Sequence, residues 1–278
     1  MKLKHLAMLL FTVTVGLTAR TAHAGGTVTV KGSDTMVILG QRWAEEFMKA
    51  HPDTTIQVTG GGSGTGISAL INGTTEICQA SRPMKPAERE QIKAKYASDV
   101  IEIPVAMDGL SVYLHASNKI SELTMAQLKG IFTGKITDWQ EVGGAPGKIT
   151  VYSRENSSGT YVFFKEHVLE GADYTPRAQS LPGTAAVVNA VARDKSGIGY
   201  GGEAYAKGIK IPKVKKDAAS PGIAPSLATV QSGTYPLARN LFFYTRTKPA
   251  GDIKTFVDWV LGPAGQAMAQ KVGYFPVH

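Results

Sequence analysis

The sequence predicts an α/β fold, on two observations. Segments of strand and helix character alternate along it, and three loops rich in Gly, Ser and Thr each leave a strand and enter a helix. The three loops are "KGSDT", "GGGSGTG" and "SRENSSGT".

Taken in order, "TVTVKG" alternates like a strand. "TMVILGQRWAEEFMKAHP" follows with Val37, Trp43, Phe47 and Met48 spaced for one helix face and stopped by Pro52. "TTIQVT" reads as a strand, "GISALING" as a short helix and "TEICQAS" as a strand again. "VIEIPVAMDGLSVYLHA" reads as two strands joined through Asp108-Gly109, where the chain would leave a first domain. "LTMAQLKGIF" is helical with Thr124 as cap, and "KITVYS" is a strand. "SSGTYVFFKEHVL" is a helix opened by Ser157 or Ser158. "AAVVNAVARD" is a helix, "GIGYGG" a short strand and turn, "RNLFFYT" a buried strand, and "IKTFVDWVLGPAGQAMAQ" the last helix or pair of helices. The lysine-rich "KGIKIPKVKKDAASPGIAPS" reads as a solvated surface segment.

A Gly/Ser/Thr loop entering a helix brings hydroxyls and backbone amides to the end of the helix that carries unpaired N–H groups and positive partial charge. For one such loop, an ordinary helix cap is the simpler reading. Three in one chain, with Arg82 after "QAS" and Arg154 just before the third, point to an oxyanion site.

Other phosphate and catalytic signatures fail on spacing. "GGGSGTG" lacks the Gly-Lys-Ser/Thr of a nucleotide P-loop. Gly64 to Ala69 fits G-x-G-x-x-A, but no acid stands at the end of the next strand to hold a ribose. No G-x-S-x-G or S-x-x-K occurs. Ser158 and His167 lie roughly 13 Å apart along one helix, too far for a nucleophile and its base. The histidines are scattered singly, without metal-ligand spacing. Neither an enzyme, a metal nor a cofactor is expected.

The chain of 278 residues opens with Lys2 and Lys4, an uncharged apolar run from Leu6 to Leu17, and small residues ending at Ala24. This is the pattern of a cleaved secretory signal over residues 1–24. Removing it takes away Lys2, Lys4 and Arg20 and no acid, and the formal net charge falls from +8 to +5. That excess suits an anionic ligand, while no Lys/Arg block of nucleic-acid type is present. Cys78 lies far from the cleavage region, which favours a soluble periplasmic protein over a lipid-anchored one, and reads as a small buried strand residue.

With these features in place, the sequence resembles the phosphate-binding proteins of bacterial phosphate ABC transporters, of the PstS type. The resemblance spans the mature chain and rests on "GSDTM", "GGGSGTGISALINGTTEICQASRPMK", "LTMAQLKGIFTGKITDWQEVGG", "SRENSSGT", "GIGYGG" and "YPLARNLFFYT", in family order. It implies a two-lobed type II periplasmic binding protein of the Venus-flytrap kind, each lobe a central sheet flanked by helices. Lobe I would comprise residues 25–108 and 236–278, and lobe II residues 109–235, with the ligand cleft between them. The expected partners are inorganic phosphate and the membrane permease subunits of an ABC importer, with no nucleic acid, and the chain is expected to be a monomer.

Motif by motif, the resemblance implies phosphate contacts from Ser33, Asp34, Thr35, the Met36 amide, Ser63, Arg82, Arg154, Ser157, Ser158, Gly159 and Thr160, with Arg154 gripping the ligand bidentately. Well-studied members place an aspartate that accepts the proton of hydrogen phosphate where this chain has Arg82. Asp34 is the nearest replacement in sequence, and a helix-capping acid is its alternative reading. Without that aspartate, another tetrahedral oxyanion (sulfate, molybdate or arsenate) stays open as the ligand. So does a secreted phosphate-binding role in signalling or weak phosphatase activity.

Overall fold

The computed structural model describes residues 26–277, so the signal reading falls outside the described residues. The strands are β1 (Thr27–Gly32), β2 (Thr55–Thr59), β3 (Ile77–Ala80), β4 (Ile101–His115), β5 (Glu122–Thr124), β6 (Thr150–Arg154), β7 (Gln179–Leu181), β8 (Gly197–Gly202), β9 (Ile209–Lys210), β10 (Lys213–Lys215) and β11 (Ala238–Thr245). The helices are α1 (Val37–Ala50), α2 (Ser63–Asn72), α3 (Pro86–Tyr96), α4 (Met125–Thr133), α5 (Gly159–His167), α6 (Thr184–Arg193), α7 (Leu227–Gln231), α8 (Gly251–Leu261) and α9 (Pro263–Val272).

One mixed sheet runs β2-β1-β3-β11-β4-β8-β6-β7, with β9 also on β4, and β10 pairs with β5 apart from it. β1 is parallel to β2 and β3, and β6 is parallel to β7 and β8. β11 lies antiparallel between β3 and β4.

The expected pair of strands around Asp108-Gly109 is one continuous strand. β4 changes partner there instead of turning, pairing with β11 from Ile101 to Gly109 and with β8 from Leu110 to Leu114. A turn reading of Asp-Gly fails because the Asp108 side chain is held by a residue of the neighbouring strand, as described below. Pro104, which cannot donate to the ladder, falls where the β4–β11 register shifts between Leu241 and Phe242.

Each end of the sheet has its own core. On one side α1 lays Leu39, Trp43 and Phe47 against β1, β11 and α8, with Trp43 Nε1 donating to Gly265 O at 2.7 Å. Burying side chains of this size contributes about 2 kcal/mol apiece. On the other side Leu110, Val112 and Leu114 of β4 pack with Leu128, Ile131 and Phe132 of α4 and Phe164 of α5. The second half of β4 therefore serves a different core from the first.

Thr124 caps α4 through a reciprocal pairing with Gln127, and Ser158 caps α5 by accepting from the Tyr161 amide, both in keeping with the sequence. Two features depart from it. The lysine-rich segment is not wholly surface, because Val214 of β10 is fully buried beside β5. Helix α3 has no sequence forecast, since Ile92 is its one buried residue and it carries almost no apolar periodicity.

Candidate functional site

The three loops meet. Each follows the carboxyl end of a parallel strand, where open α/β sheets gather their ligands: Ser33–Met36 after β1, Gly60–Ser63 after β2, and Glu155–Ser158 after β6. Ser81, following β3, joins them. Gly62 has φ +92°, a left-handed value that suits glycine, and a Cβ there would sit 2.5 Å from Ser157 O.

At the centre is a cluster of buried hydroxyls. Ser33 Oγ donates to Ser81 Oγ at 2.9 Å, Ser63 Oγ lies 3.4 Å from Ser81 Oγ, and Thr35 Oγ1 lies 2.8 Å from Thr160 Oγ1. Ser33, Thr35, Ser63, Ser81 and Thr160 are each 1% exposed or less. Residues from both ends of the sheet contribute, so the two lobes are closed on one another. Further bonds between them run from Gly64 N to Ser157 O (2.8 Å), from Arg154 Nη2 to Asp34 Oδ2 (2.8 Å), and from Tyr205 Oη to Asp34 O (2.6 Å). Burial pushes the Tyr205 hydroxyl up to about 12, so it stays a donor at neutral pH.

Arg154 is 1% exposed. Its Nε and Nη2 donate to Glu155 at 3.0 and 2.8 Å, Nη2 also to Asp34, and Nη1 to Thr184 Oγ1 at 2.9 Å. Burial works against its charge, but the Glu155 and Asp34 carboxylates outweigh that and raise it above its ordinary value. A guanidinium has five N–H groups, and these bonds occupy four. Arg154 therefore has one N–H left in this closed arrangement. A bidentate grip, as expected from the resemblance, requires Asp34 or Thr184 to let go.

The other expected residues divide. Ser158 faces the same region as the cap of α5, and Gly159 packs so closely that a Cβ would meet Ser63 Oγ at 2.2 Å. Ser157 reaches the loop of Ser63 through its carbonyl oxygen. The Met36 amide is spent inside the turn, donating to Ser33 O at 3.0 Å. Asp34 is an acceptor on both oxygens, from the loop amide Gly61 N at 2.8 Å and from Arg154, and its side chain caps no helix. Arg82 does not join the cluster. Its guanidinium donates to Glu88 of α3 at 2.7 and 2.8 Å and to Pro83 O at 2.9 Å. The unforeseen helix α3 supplies that carboxylate.

Three residues of the site escaped the sequence reading: Ser81, Asp108 and Arg239. Arg239 of β11 faces Asp108 of β4 directly across the ladder, and its Nε and Nη2 both donate to Asp108 Oδ2, at 3.0 and 2.7 Å. Arg239 Nη2 also reaches Thr160 Oγ1 at 3.0 Å, and Nη1 reaches Ser81 O at 3.0 Å. The signal was available in the sequence. An acid in "PVAMDGLSVY" and an arginine in "YPLARNLFFY" each interrupt an apolar strand, and buried charges require partners.

Among the described residues no group of three or more His, Cys, Asp or Glu is arranged to hold a metal ion, and no helix is long and apolar enough to cross a membrane. His167, at the far end of α5 from Ser158, turns its Nδ1 to Phe163 O. The Cys78 thiol is fully buried and raised far above its ordinary range by that burial.

Comparison with known proteins agrees with this geometry. A family model for a PBP superfamily domain matches residues 17–264. The phosphate-binding protein PstS of Pseudomonas aeruginosa PAO1 is 32% identical over 309 residues, covering 100% of this chain and 96% of its own. PstS of Bacillus subtilis 168 is 33% identical over 256 residues, covering 91% and 82%. Among solved structures, a chain from Clostridium perfringens, assigned as a phosphate ABC transporter substrate-binding protein and holding bound phosphate, superposes with a TM-score of 0.83 at 29% identity. It covers 91% of this chain and 100% of its own. An ABC-type phosphate transport receptor from Vibrio cholerae gives a TM-score of 0.72 at 26% identity, covering 89% and 99%. With the two-lobed α/β fold and its closed cluster of hydroxyls and arginines, the chain belongs to the PstS-type phosphate-binding proteins of the PBP superfamily.

Proposed function

We propose that this protein binds inorganic phosphate reversibly between its lobes and hands it to the permease subunits of a phosphate ABC importer. The observation that carries the reading is the buried cluster of five hydroxyls, drawn from loops and helix starts of both lobes, with Arg239 bonded to it and Arg154 beside it. Each hydroxyl bonded to another hydroxyl can rotate its proton toward an anion, and Ser63 and Thr160 stand in the first turns of α2 and α5, the helix ends that favour negative charge. The names of the relatives and the phosphate held by the Clostridium perfringens protein support the choice of anion.

On this reading the ligand contacts come from Ser33, Thr35, Ser63, Arg154, Ser158, Gly159 and Thr160. Asp34 and Ser157 join the lobes, and Arg82 braces α3. The lobes divide at 108/109 and 235/236. The protein acts in the periplasm as a monomeric carrier after loss of its leader, and it is not an enzyme. Closure is part of function, because only the closed form assembles contacts from both lobes.

Calorimetry on refolded, phosphate-free protein tests the proposal, with one phosphate bound per chain as the expected result. Heat with sulfate or molybdate and none with phosphate would overturn it. Release of phosphate from a generic ester above a blank, abolished by Ser158→Ala, would overturn the non-enzymatic reading.

A further inference from the structure

We infer that a cavity on the seam between the lobes, where α1 and α9 face the turn after β8, is a second ligand site. It takes a small amphipathic anion, a carboxylate head on an apolar tail, and by bridging the lobes it favours their closure. Only its coupling to phosphate rests on the function proposed above.

The cavity has a volume of about 510 Å³, within the range of small-molecule sites. Lobe I supplies Ile38 from α1 and Met268 and Val272 from α9, while lobe II supplies Ala204 and Tyr205 from the turn after β8. One apolar lining is thus assembled from two lobes, and it is complete only when they are closed. Ala204 also packs against the core built on α1, and Tyr205 Oη donates to Asp34 O at 2.6 Å. The lining therefore includes a residue that already ties the lobes together. Apolar exposure gathers along this seam: the exposed large hydrophobic side chains among the described residues are Ile38, at 36%, and Leu227, at 40%. Leu227 lines an adjoining cavity that shares Ala204 with the first.

The charges point to an anion. Arg42 and Lys271 of lobe I and Lys207 of lobe II line the cavity against one acid, Glu46. That acid is spent on Lys49, which donates to it at 2.7 Å and does most to hold it below its ordinary range, with Lys271 and Arg42 adding at longer range. Lys207 and Lys271 form no ion pair among the described residues. Arg42 holds Glu45 through Nη1 and keeps other N–H groups to offer. Closure brings Lys207 toward the cations of lobe I, and their repulsion opposes it. An anion seated among the three turns that repulsion into attraction. A bare ion would serve the charges alone, whereas the apolar lining gains from a tail that removes it from water. Because this occupant and phosphate both need the closed form, each should tighten the other by the same factor.

Octanoate is the probe, titrated by calorimetry into the full chain, phosphate-free and phosphate-saturated, with butanoate and octan-1-ol as comparisons. One octanoate per chain is expected. It should bind more tightly than butanoate, since each buried methylene adds affinity, and at least tenfold more tightly than octanol, which lacks the charge. Saturating octanoate should strengthen phosphate binding by about threefold or more. The surface variant Lys207→Gln/Lys271→Gln should melt with the parent and bind octanoate at least tenfold more weakly. Undiminished octanoate binding in that variant, or octanol or butanoate binding as well as octanoate, overturns the site. Weakening of phosphate by octanoate also overturns it, because the carboxylate then competes in the phosphate cleft. Absence of phosphate binding under every condition would overturn the functional reading instead, and the octanoate titrations would still decide the seam site.

Discussion

Asp34 and Arg154 lie 120 positions apart in sequence, yet Asp34 Oδ2 accepts from Arg154 Nη2 at 2.8 Å and ties the two lobes together. The same aspartate accepts from Gly61 N on its other oxygen, so it fixes the glycine loop and the opposite lobe at once. Its place is that of a latch. Asp34→Ala should therefore shift the equilibrium toward the open form and weaken phosphate binding by about 1.5–3 kcal/mol, the usual worth of a hydrogen bond to a charged group. Small-angle scattering of the ligand-free variant should show a larger radius of gyration than the parent. Equal radii with equal affinity would rule the latch out.

Arg154 and Arg82 should fail differently. Removing Arg154 takes a buried cation away from the anion site and leaves Glu155 and Asp34 without it, so Arg154→Ala should cost on the order of 2 to 5 kcal/mol of phosphate binding. Arg82→Ala breaks the pair with Glu88 outside the cluster. It should lower the urea midpoint, with a stability loss of about 1 to 3 kcal/mol, and leave the dissociation constant within about threefold. Calorimetry and denaturation on the two variants separate these outcomes, and a large affinity loss in Arg82→Ala would put it in the site after all.

Local pattern and long-range pairing contribute differently to this region. The three loops were legible because Ser, Thr and Gly at strand-to-helix junctions have a local reason to be there, and the fold brings Ser33, Thr35, Ser63 and Thr160 of those loops together. Arg82 stands outside the hydroxyl cluster with Glu88 of α3, a polar helix whose little periodicity left that partner unforeseen. Asp108 and Arg239 were missed because each looks like a turn or edge residue until the β4–β11 register sets them opposite one another. Cross-strand partners are a long-range property, and the local pattern carries no register between strands so far apart.

Acid should weaken the fold through Glu88 and Glu155. Burial pushes both carboxyls up, but Arg82 with the Lys85 amide at Glu88, and Arg154 at Glu155, outweigh it and hold both below the ordinary value of 4.5. A carboxyl depressed on folding contributes stability that is complete above its unfolded value and is lost as the pH falls through its folded value. Melting temperature should thus be flat for these groups above about pH 5.5 and fall below about pH 4.5. Glu88→Gln should melt lower at pH 7 and show a shallower decline from pH 5 to 3. The same decline in the variant and the parent would remove Glu88 from the account.

Gly159 offers a way to part folding from closure. It opens α5, where an alanine is favourable to the helix by roughly 0.5 to 1 kcal/mol, and its φ is not in the left-handed region. The obstacle lies on the other lobe. A Cβ on Gly159 would stand 2.2 Å from Ser63 Oγ and 2.8 Å from Ser81 Oγ, both fully buried and hydrogen-bonded with little room to retreat. Gly159→Ala should fold, melt close to the parent temperature, and fail to close, so that phosphate affinity falls at least a hundredfold while the ligand-free radius of gyration rises. Gly66→Ala makes the opposite case. Its Cβ would meet Lys31 O at 2.4 Å and Gly32 Cα at 2.6 Å, which are backbone atoms of the adjoining strand in the same lobe, so the damage should register in stability whether or not the lobes are closed. If Gly159→Ala binds phosphate as the parent does, the tight approach of α5 to Ser63 is not needed for the bound state, and the site must accommodate its ligand with the lobes further apart than they stand here.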